Sequence, residues 1–502
     1  MELDINICAQ ARKSRDTRFD GRFFIGVRTT RIYCRLTCPV RTVKDENVLY
    51  FPTAAAATEA GYRSCLRCRP ELAPGTPAYA GSSTTVSRAL RLISESPLED
   101  EGVEDLAARL GVGSRQLRRL FLRYLGASPS TVMKTRRLHF AKKLIDESGL
   151  PMGEVALASG FRSVRRFNDA FRQVYQRTPT QIRQLAKTIA APMEHEYVFR
   201  LDYRPPFDWH SLLGFLSKRA IPGVESVTAT SYSRTIALNG DAGHLSVSHA
   251  SDGTKLEARI FFPESRWLFL IVERLRRIFD LGAVPHEIAA HLGTDPLLNA
   301  RIEAAPGLRV PGCWDGFELA VRAILGQQVS VAGASTLAGR LVRLFGRPTS
   351  AGEGLTHLFP RPSDLAEADV AQIGMPLKRA ETIRGLAQAV ADGRIVFDGR
   401  VDLNEFHTAI CRIPGIGDWT AQYIAMRALG DPDAFPANDL GLLHHSGFST
   451  GAQLARRAEA WRPWRAYAAM YLWQIAGPAI ARASEYQPVP ANRKSRVVVA
   501  GR

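Results

Sequence analysis

Four cysteines in two close pairs constrain the fold of this chain more than any other feature. Cys34 and Cys38 are spaced C-x3-C, Cys65 and Cys68 are spaced C-x2-C, and the 502 residues hold only seven cysteines in all. A close pair of thiolates can supply two adjacent corners of a tetrahedron, so two pairs joined by a loop suit one Zn²⁺ ion. Two disulfides are the alternative and fit poorly. The chain opens Met1-Glu2-Leu3-Asp4, which is no secretory signal, and a large cytosolic chain keeps its thiols reduced. The expectation is a single four-cysteine zinc site.

At 502 residues, three or four domains are expected, each with its own core. Lys and Arg number 66 against 49 Asp and Glu, a net charge of +17. Such an excess points to a polyanionic partner, with nucleic acid the leading candidate. A membrane surface is the alternative, but no apolar run approaches the ~20 residues of a spanning helix. A cytoplasmic, nucleoid-associated protein is expected.

Composition divides the chain into units. The stretch Ala73-Pro74-Gly75-Thr76-Pro77 through Gly81-Ser82-Ser83 is Pro/Gly/Ser-rich and separates a first unit, 1–78, from a second, 84–188, that is helical throughout. Near Ala191-Pro192 the pattern changes to strand-like alternation, in Thr235-Ile236-Ala237-Leu238 and His244-Leu245-Ser246-Val247-Ser248, with Asn239-Gly240 as a turn between them. This third unit, 193–302, is read as β-rich. From about 310 helical periodicity returns, giving a fourth unit, 303–483. Residues 484–502 mix Pro, Lys and Arg and are expected to form a disordered basic tail.

The second unit repeats one arrangement. Val103, Leu106, Ala107 and Leu110 share a helical face, Gly111 gives a tight turn, and Ser114 or its neighbour caps a helix carrying Arg115, Arg118 and Arg119. The repeat runs Val155, Ala158, Gly160, Phe161, then Ser163-Val164-Arg165-Arg166-Phe167. One helix-turn-helix is a weak signal, since plain helical hairpins look alike. Two copies with arginines on both outer helices are stronger. They resemble an AraC-type DNA-binding domain, which implies contacts to two successive major-groove segments, with Arg115, Arg119, Arg162 and Arg165 as candidate DNA contacts.

Around the cysteines the chain reads Phe24-Ile25-Gly26-Val27-Arg28-Thr29-Thr30-Arg31-Ile32-Tyr33-Cys34-Arg35-Leu36-Thr37-Cys38 and Ala60-Gly61-Tyr62-Arg63-Ser64-Cys65-Leu66-Arg67-Cys68-Arg69-Pro70. This resembles the N-terminal domain of the bacterial Ada methylation-response proteins. The resemblance implies that Cys34 takes a methyl group irreversibly from a methyl phosphotriester in DNA. Zinc holds such a sulfur as its thiolate. Methylation would also remove a negative charge from the centre and tighten its hold on the phosphate backbone. A zinc staple with no reactive sulfur is the other reading.

Ada proteins continue with a second methyltransferase whose reactive motif is Pro-Cys-His. That motif is absent: the remaining cysteines are Cys8, Cys313 and Cys411. In its place stands Ile413-Pro414-Gly415-Ile416-Gly417-Asp418-Trp419-Thr420-Ala421, which resembles the hairpin of helix-hairpin-helix DNA glycosylases. Gly415 and Gly417 permit a tight turn and bring amides to a helix N-terminus, an anion site for a DNA phosphate. Asp439 follows in Phe435-Pro436-Ala437-Asn438-Asp439 and matches the family's catalytic aspartate, which stabilises the developing oxocarbenium sugar and helps water attack. Asp431 and Asp433 compete but sit in an exposed-looking turn. Trp419 and Tyr423 share a helical face, and Trp473 matches another pocket aromatic, although core packing explains it equally well. Electron-rich rings suit a flipped-out cationic base.

Phe317-Glu318-Leu319-Ala320-Val321-Arg322-Ala323-Ile324-Leu325-Gly326-Gln327-Gln328-Val329-Ser330 narrows the resemblance to the AlkA type, 3-methyladenine DNA glycosylase II. Lyase-type relatives carry Lys where this chain has Trp419, implying base excision without strand cleavage. Iron–sulfur members need four late cysteines, and none follows Cys411, so no such cluster is expected. Gln328 occupies the place where relatives push an apolar side chain into the gap left by the flipped base. The fold class that results is multidomain: a small α+β zinc domain, an all-α double helix-turn-helix domain, a β-rich α+β domain and an all-α helix-hairpin-helix glycosylase domain. The function expected is a methylphosphotriester-activated regulator, engaging RNA polymerase, fused to a monofunctional glycosylase and acting as a monomer. The rivals are a DNA-binding regulator with a degenerate glycosylase half, and an enzyme whose zinc domain is only an anchor.

Overall fold

The computed structural model describes residues 3–40, 43–74, 84–95, 102–185, 195–250, 255–349, 351–352 and 354–474. The expected basic tail, Ala191-Pro192 and the stretch Gly75–Ser83 lie outside the described residues.

The cysteine unit is built on a four-stranded sheet of β1 (Phe24–Val27), β2 (Ile32–Cys34), β3 (Val48–Phe51) and β4 (Arg63–Ser64), ordered β3-β1-β2-β4. β4 joins β2 in parallel, with Tyr33 opposite Ser64. That register places the metal ligands. Cys34 ends β2, Cys65 follows β4 at once, and the Cys65 amide donates to the Tyr33 carbonyl at 3.0 Å.

Both helix-turn-helix units are present: Val103–Arg109 with Ser114–Leu125, and Met152–Ala158 with Val164–Tyr175. Gly111 and Gly160 make the turns at φ 69° and 75°, the left-handed region that glycine enters without a Cβ clash. Gly113 caps the first outer helix, while Ser163 caps the second by accepting the Arg166 amide at 3.2 Å. Between the units runs the 19-residue helix Pro129–Glu147. Its buried Lys142 pairs with Glu71 at 3.2 Å and with Asp146, and Arg69 reaches Asp146 at 2.8 Å. These charges are tolerable inside because they are paired.

The sheet of the β-rich unit is antiparallel: β5 (Glu196–Asp202), β6 (Glu225–Val227), β7 (Ser231–Leu238), β8 (Asp241–His249) and β9 (Lys255–Phe261), in the order β5-β9-β8-β7-β6. Asn239 and Gly240, at φ 48° and 96°, form the two-residue turn whose twist suits a hairpin. Helices resume earlier than the periodicity predicts, at Leu268–Ile278, Pro285–Leu292 and Pro296–Ala304. The reason lies in Leu268-Phe269-Leu270-Ile271-Val272, an unbroken apolar run whose five residues are all buried; such a short run suits a buried strand as well as the first turns of a helix.

The expectation of one core per unit is also corrected. The first helix-turn-helix has a core of Leu106, Leu117 and Phe121 that takes in Ala55 of the cysteine unit. The second shares its core with the β-rich unit: Phe140 meets Phe269 edge-on at 5.2 Å, and Phe167 and Phe171 join Phe199, Leu245 and Val247 in one cluster. Each partner alone would leave an apolar face in water. The remaining helices form two clusters, one from Phe317 to Leu429 and one combining Ala283–Leu308 with Phe435–Leu472.

Arg204, fully buried after β5, rivets the cysteine unit to the rest. Its guanidinium donates to the carbonyls of Asp20 (2.9 Å), Pro74 (3.0 Å), Gly282 (2.8 Å) and Ala283 (3.3 Å). Beside it Arg35 bridges Asp20 and, at 2.9 Å, Asp202. Arg204→Ala would strand four carbonyls, so a loss of about 3 kcal/mol is expected, and Lys should not rescue it, because one ammonium cannot reach four acceptors. Limited proteolysis checks this: the variant should release the cysteine unit faster than wild type, and an unchanged digestion rate would contradict the docking.

Candidate active site and metal centre

The seam between the two C-terminal helical clusters holds the chemistry. Asp439 is the N-cap of Leu440–Ser446, its Oδ1 accepting the Leu442 amide at 2.9 Å. Trp473 Nε1, from the end of Arg465–Trp473, donates to the same oxygen at 2.8 Å, and Trp419 Nε1, from Asp418–Arg427, donates to Oδ2 at 2.8 Å. Two indoles from opposite sides of the seam therefore fix one carboxylate. Trp419 stacks on Tyr423 (5.7 Å, 12°), and Tyr423 meets Trp473 at 6.2 Å and 65°. The structure brings all four predicted residues together. The competing Asp433 is half-buried rather than exposed and is taken up by Arg465, at 2.8 and 3.0 Å, and by Arg462. Asp431 is also half-buried, and burial raises its carboxyl.

Sequence reasoning missed the wall supplied by the β-rich unit. Phe215, on Trp209–Ser217, lies 3.8 Å beneath the Arg219 guanidinium and 5.0 Å from that of Arg427. Arg427 also donates to the Tyr423 hydroxyl at 2.7 Å. Burial acts to raise the Tyr423 phenol, but Arg427, Arg219 and Arg322 overcome it and hold the group below its ordinary value. No local pattern links Phe215 to Tyr423. Gly441 was missed too: a Cβ there would stand 3.0 Å from Asp439 Oδ1 and 3.5 Å from the Trp473 ring.

In the hairpin only Gly415 is sterically required. Its φ is 92°, and a Cβ would fall 2.1 Å from Thr382 Oγ1. Gly417 has extended backbone and open space around it, at the N-cap of Asp418–Arg427. Gln327 Nε2 donates to Gly415 O and to Thr420 Oγ1, both at 3.0 Å. Gln328 is exposed. A separate cavity of about 1130 Å³ lies between the units and is lined by Arg88, Arg136 and Arg277; it lacks the carboxylate and indoles of the seam.

The Sγ atoms of Cys34, Cys38, Cys65 and Cys68 all lie within 4.8 Å of one another. Mutual hydrogen bonding pushes Cys34 and Cys68 up and Cys65 down, and draws Cys38 to about 7. Four thiols so close cannot all ionise unaided, so the donor set calls for a cation, and all-sulfur donors suit Zn²⁺. Cys38 and Cys65 are buried, while Cys34 and Cys68 are partly exposed. The Arg35 amide donates to Cys68 Sγ at 3.3 Å.

Arg115, Arg119 and Arg165 are exposed on the two outer helices; Arg162 is exposed as well but precedes the Ser163 cap rather than riding on the helix. No helix among the described residues is long and apolar enough to cross a membrane.

Comparison with known proteins fits this geometry. Residues 7–71 match the metal binding domain of Ada, 106–185 a helix-turn-helix domain, 198–315 the AlkA N-terminal domain, and 321–449 the HhH-GPD superfamily of base excision DNA repair proteins. The chain is 42% identical over 482 residues to the probable bifunctional transcriptional activator/DNA repair enzyme AlkA of Mycobacterium tuberculosis, covering 94% of this chain and 97% of that one. It is 36% identical to DNA-3-methyladenine glycosylase 2 of Escherichia coli over 56% of this chain and 98% of the relative. To the Escherichia coli Ada protein it is 35% identical over 26% of this chain and 36% of the relative. With four such domains in this order and one relative matched almost end to end, the chain belongs to the family of bifunctional AlkA transcriptional activator/DNA repair enzymes.

Proposed function

We propose that the C-terminal half excises alkylated bases such as 3-methyladenine by hydrolysing the N-glycosidic bond, and that the N-terminal half senses DNA methylation and activates transcription. The observation that carries the first part is the Asp439 carboxylate held by two indoles that also meet the Tyr423 ring. In the excision, the base leaves with the electron pair of its glycosidic bond. Asp439 stabilises the cationic sugar, and a water adds at the freed carbon, giving up its proton to the Asp439 carboxylate. Trp419, Tyr423 and Trp473 receive the flipped cationic base. No lysine stands at Trp419, so the product is an intact abasic strand.

For the sensor, Cys34, Cys38, Cys65 and Cys68 would hold one Zn²⁺, which keeps the Cys34 sulfur anionic at neutral pH. Cys34 then attacks the methyl carbon of a phosphotriester: a C–S bond forms, the C–O bond breaks, and the phosphodiester leaves as an anion. Cys34 is favoured over Cys68, the other partly exposed ligand, because the Arg35 amide already occupies the Cys68 sulfur. Arg115, Arg119, Arg162 and Arg165 contact DNA, and Gly415 and Gly417 present amides to a phosphate. The protein works in the bacterial cytoplasm as a monomer, engages RNA polymerase when methylated, and carries no iron–sulfur cluster.

Purified protein and its Asp439→Asn variant, incubated with methylated duplex, test the enzyme; free base and strand breaks are measured separately. Wild type should release 3-methyladenine and leave strands unbroken, and the variant should release at least about a hundredfold less. No release from either protein would favour a DNA-binding regulator with a degenerate glycosylase half. Gly441→Ala sharpens the test. Alanine suits the helix better by up to about 1 kcal/mol, so stability should hold or rise while excision falls; excision at the wild-type rate would show that the contact with Asp439 is slack. For the sensor, intact-protein mass spectrometry should find one added methyl group in wild type and none in Cys34→Ala, and a methylated Cys34→Ala would move the acceptor elsewhere.

A further inference from the structure

Two guanidiniums meet at Tyr423 with no carboxylate to offset them. Elsewhere in the contact between the β-rich unit and the helices, buried arginines are neutralised: Arg234 pairs with Glu318 at 2.6 Å, and Arg322 pairs with Glu225 at 3.0 Å and Glu318 at 3.3 Å. Arg219 and Arg427 differ, since among the described residues neither has a carboxylate partner. Arg427 is buried and donates to the carbonyls of Pro311 (2.8 Å) and Gly312 (3.0 Å) and to the Tyr423 hydroxyl (2.7 Å). Arg219 donates to Phe215 O at 3.4 Å, and the Phe215 ring lies against both guanidiniums. Burial lowers the Arg219 guanidinium, and the largest opposing pull comes from Tyr423. Desolvated charge without a counter-ion is costly, so two such groups gathered at one phenol call for a reason.

Charge transfer during base excision supplies one. Contacts run from Asp439 to Trp419, from Trp419 to Tyr423 and from Tyr423 to Arg427, so negative charge ends one side of the stacked rings and positive charge the other. Cleaving an N-glycosidic bond moves an electron pair from sugar to base. The sugar becomes cationic, as suits Asp439, and the base gains one negative charge. A base that is neutral in the duplex therefore leaves as an anion, which nearby guanidiniums stabilise. A base made cationic by alkylation leaves neutral. For it the guanidiniums hinder binding by as much as they assist departure, so they raise its maximal rate but not its rate at low concentration. The rings still attract a cation, and both classes of base can enter.

We infer that Arg219 and Arg427, held against Tyr423, determine lesion preference, favouring bases that are neutral before excision over bases that alkylation has made cationic. The inference rests on reading the seam as a base-excision pocket. Its test is single-turnover release of hypoxanthine, a neutral base, and of 7-methylguanine, cationic in the duplex, from otherwise identical strands. Varying the concentration of full-length wild type, Arg219→Gln and Arg219→Lys gives a maximal rate and a half-saturating concentration for each base. Arg219→Gln should lose about tenfold in maximal rate on both bases. With hypoxanthine the half-saturating concentration should stay, whereas with 7-methylguanine it should fall by about the same tenfold, leaving their ratio unchanged. Arg219→Lys keeps the charge and should restore both patterns. A merely structural role would slow both bases without tightening 7-methylguanine, and that result overturns the inference. So does wild type that releases 7-methylguanine but no hypoxanthine. Wild type that releases neither base would instead count against the pocket itself.

Discussion

The site depends on one carboxylate shared by two indoles. Asp439 caps its own helix through Oδ1 and accepts Trp473 there and Trp419 at Oδ2. Hydrogen bonds to a charged acceptor are each worth about 1.5–3 kcal/mol, enough to hold the oxygens in place against thermal motion. The same bonds orient the rings, because an indole N–H aimed at Asp439 fixes the direction of the ring face toward Tyr423. Carboxylate and aromatic wall are thus set by one interaction, and neither helical cluster could build it alone.

A second constraint explains why the halves form a continuous body. The outer helices of the second helix-turn-helix and the sheet of the β-rich unit each need an apolar partner, and they use one another. The cysteine unit is then fastened by charge: Arg204 gathers four carbonyls, and Arg35, the residue after Cys34, ends between Asp20 and Asp202. Arg69, the residue after Cys68, ends on Asp146 and Glu147 of the helix between the two helix-turn-helix units. Side chains flanking two of the four cysteines therefore touch both the helix that joins the two helix-turn-helix units and the sheet that leads to the glycosylase half.

Much of this was legible in the chain because its signals are local. The cysteine spacing, the glycine turns at Gly111 and Gly160, the Asn239-Gly240 hairpin and the run from Ile413 to Asp439 each report structure within a few turns. What stayed hidden is non-local. Phe215 reaches Arg427, the partner of the Tyr423 hydroxyl, from across the chain, Gly441 matters only through its distance from Asp439, and the shared core of Phe140 with Phe269 leaves no trace in periodicity. The helix Leu268–Ile278 was read past because its opening run of five apolar residues suits a buried strand as well as a helix. Gly417, singled out for its turn, has an ordinary extended backbone, whereas Gly415 beside it does not.

The most direct test of the shared carboxylate is single-turnover base release by Trp419→Phe, Trp473→Phe and the double variant. Phenylalanine keeps an aromatic face but removes the N–H, so pocket filling and carboxylate positioning separate. The account predicts that each single variant slows release by about tenfold and the double by about a hundredfold or more, with affinity for abasic DNA little changed. Release by the double variant at the wild-type rate would contradict it, since Asp439 would then act without the two donors that hold it.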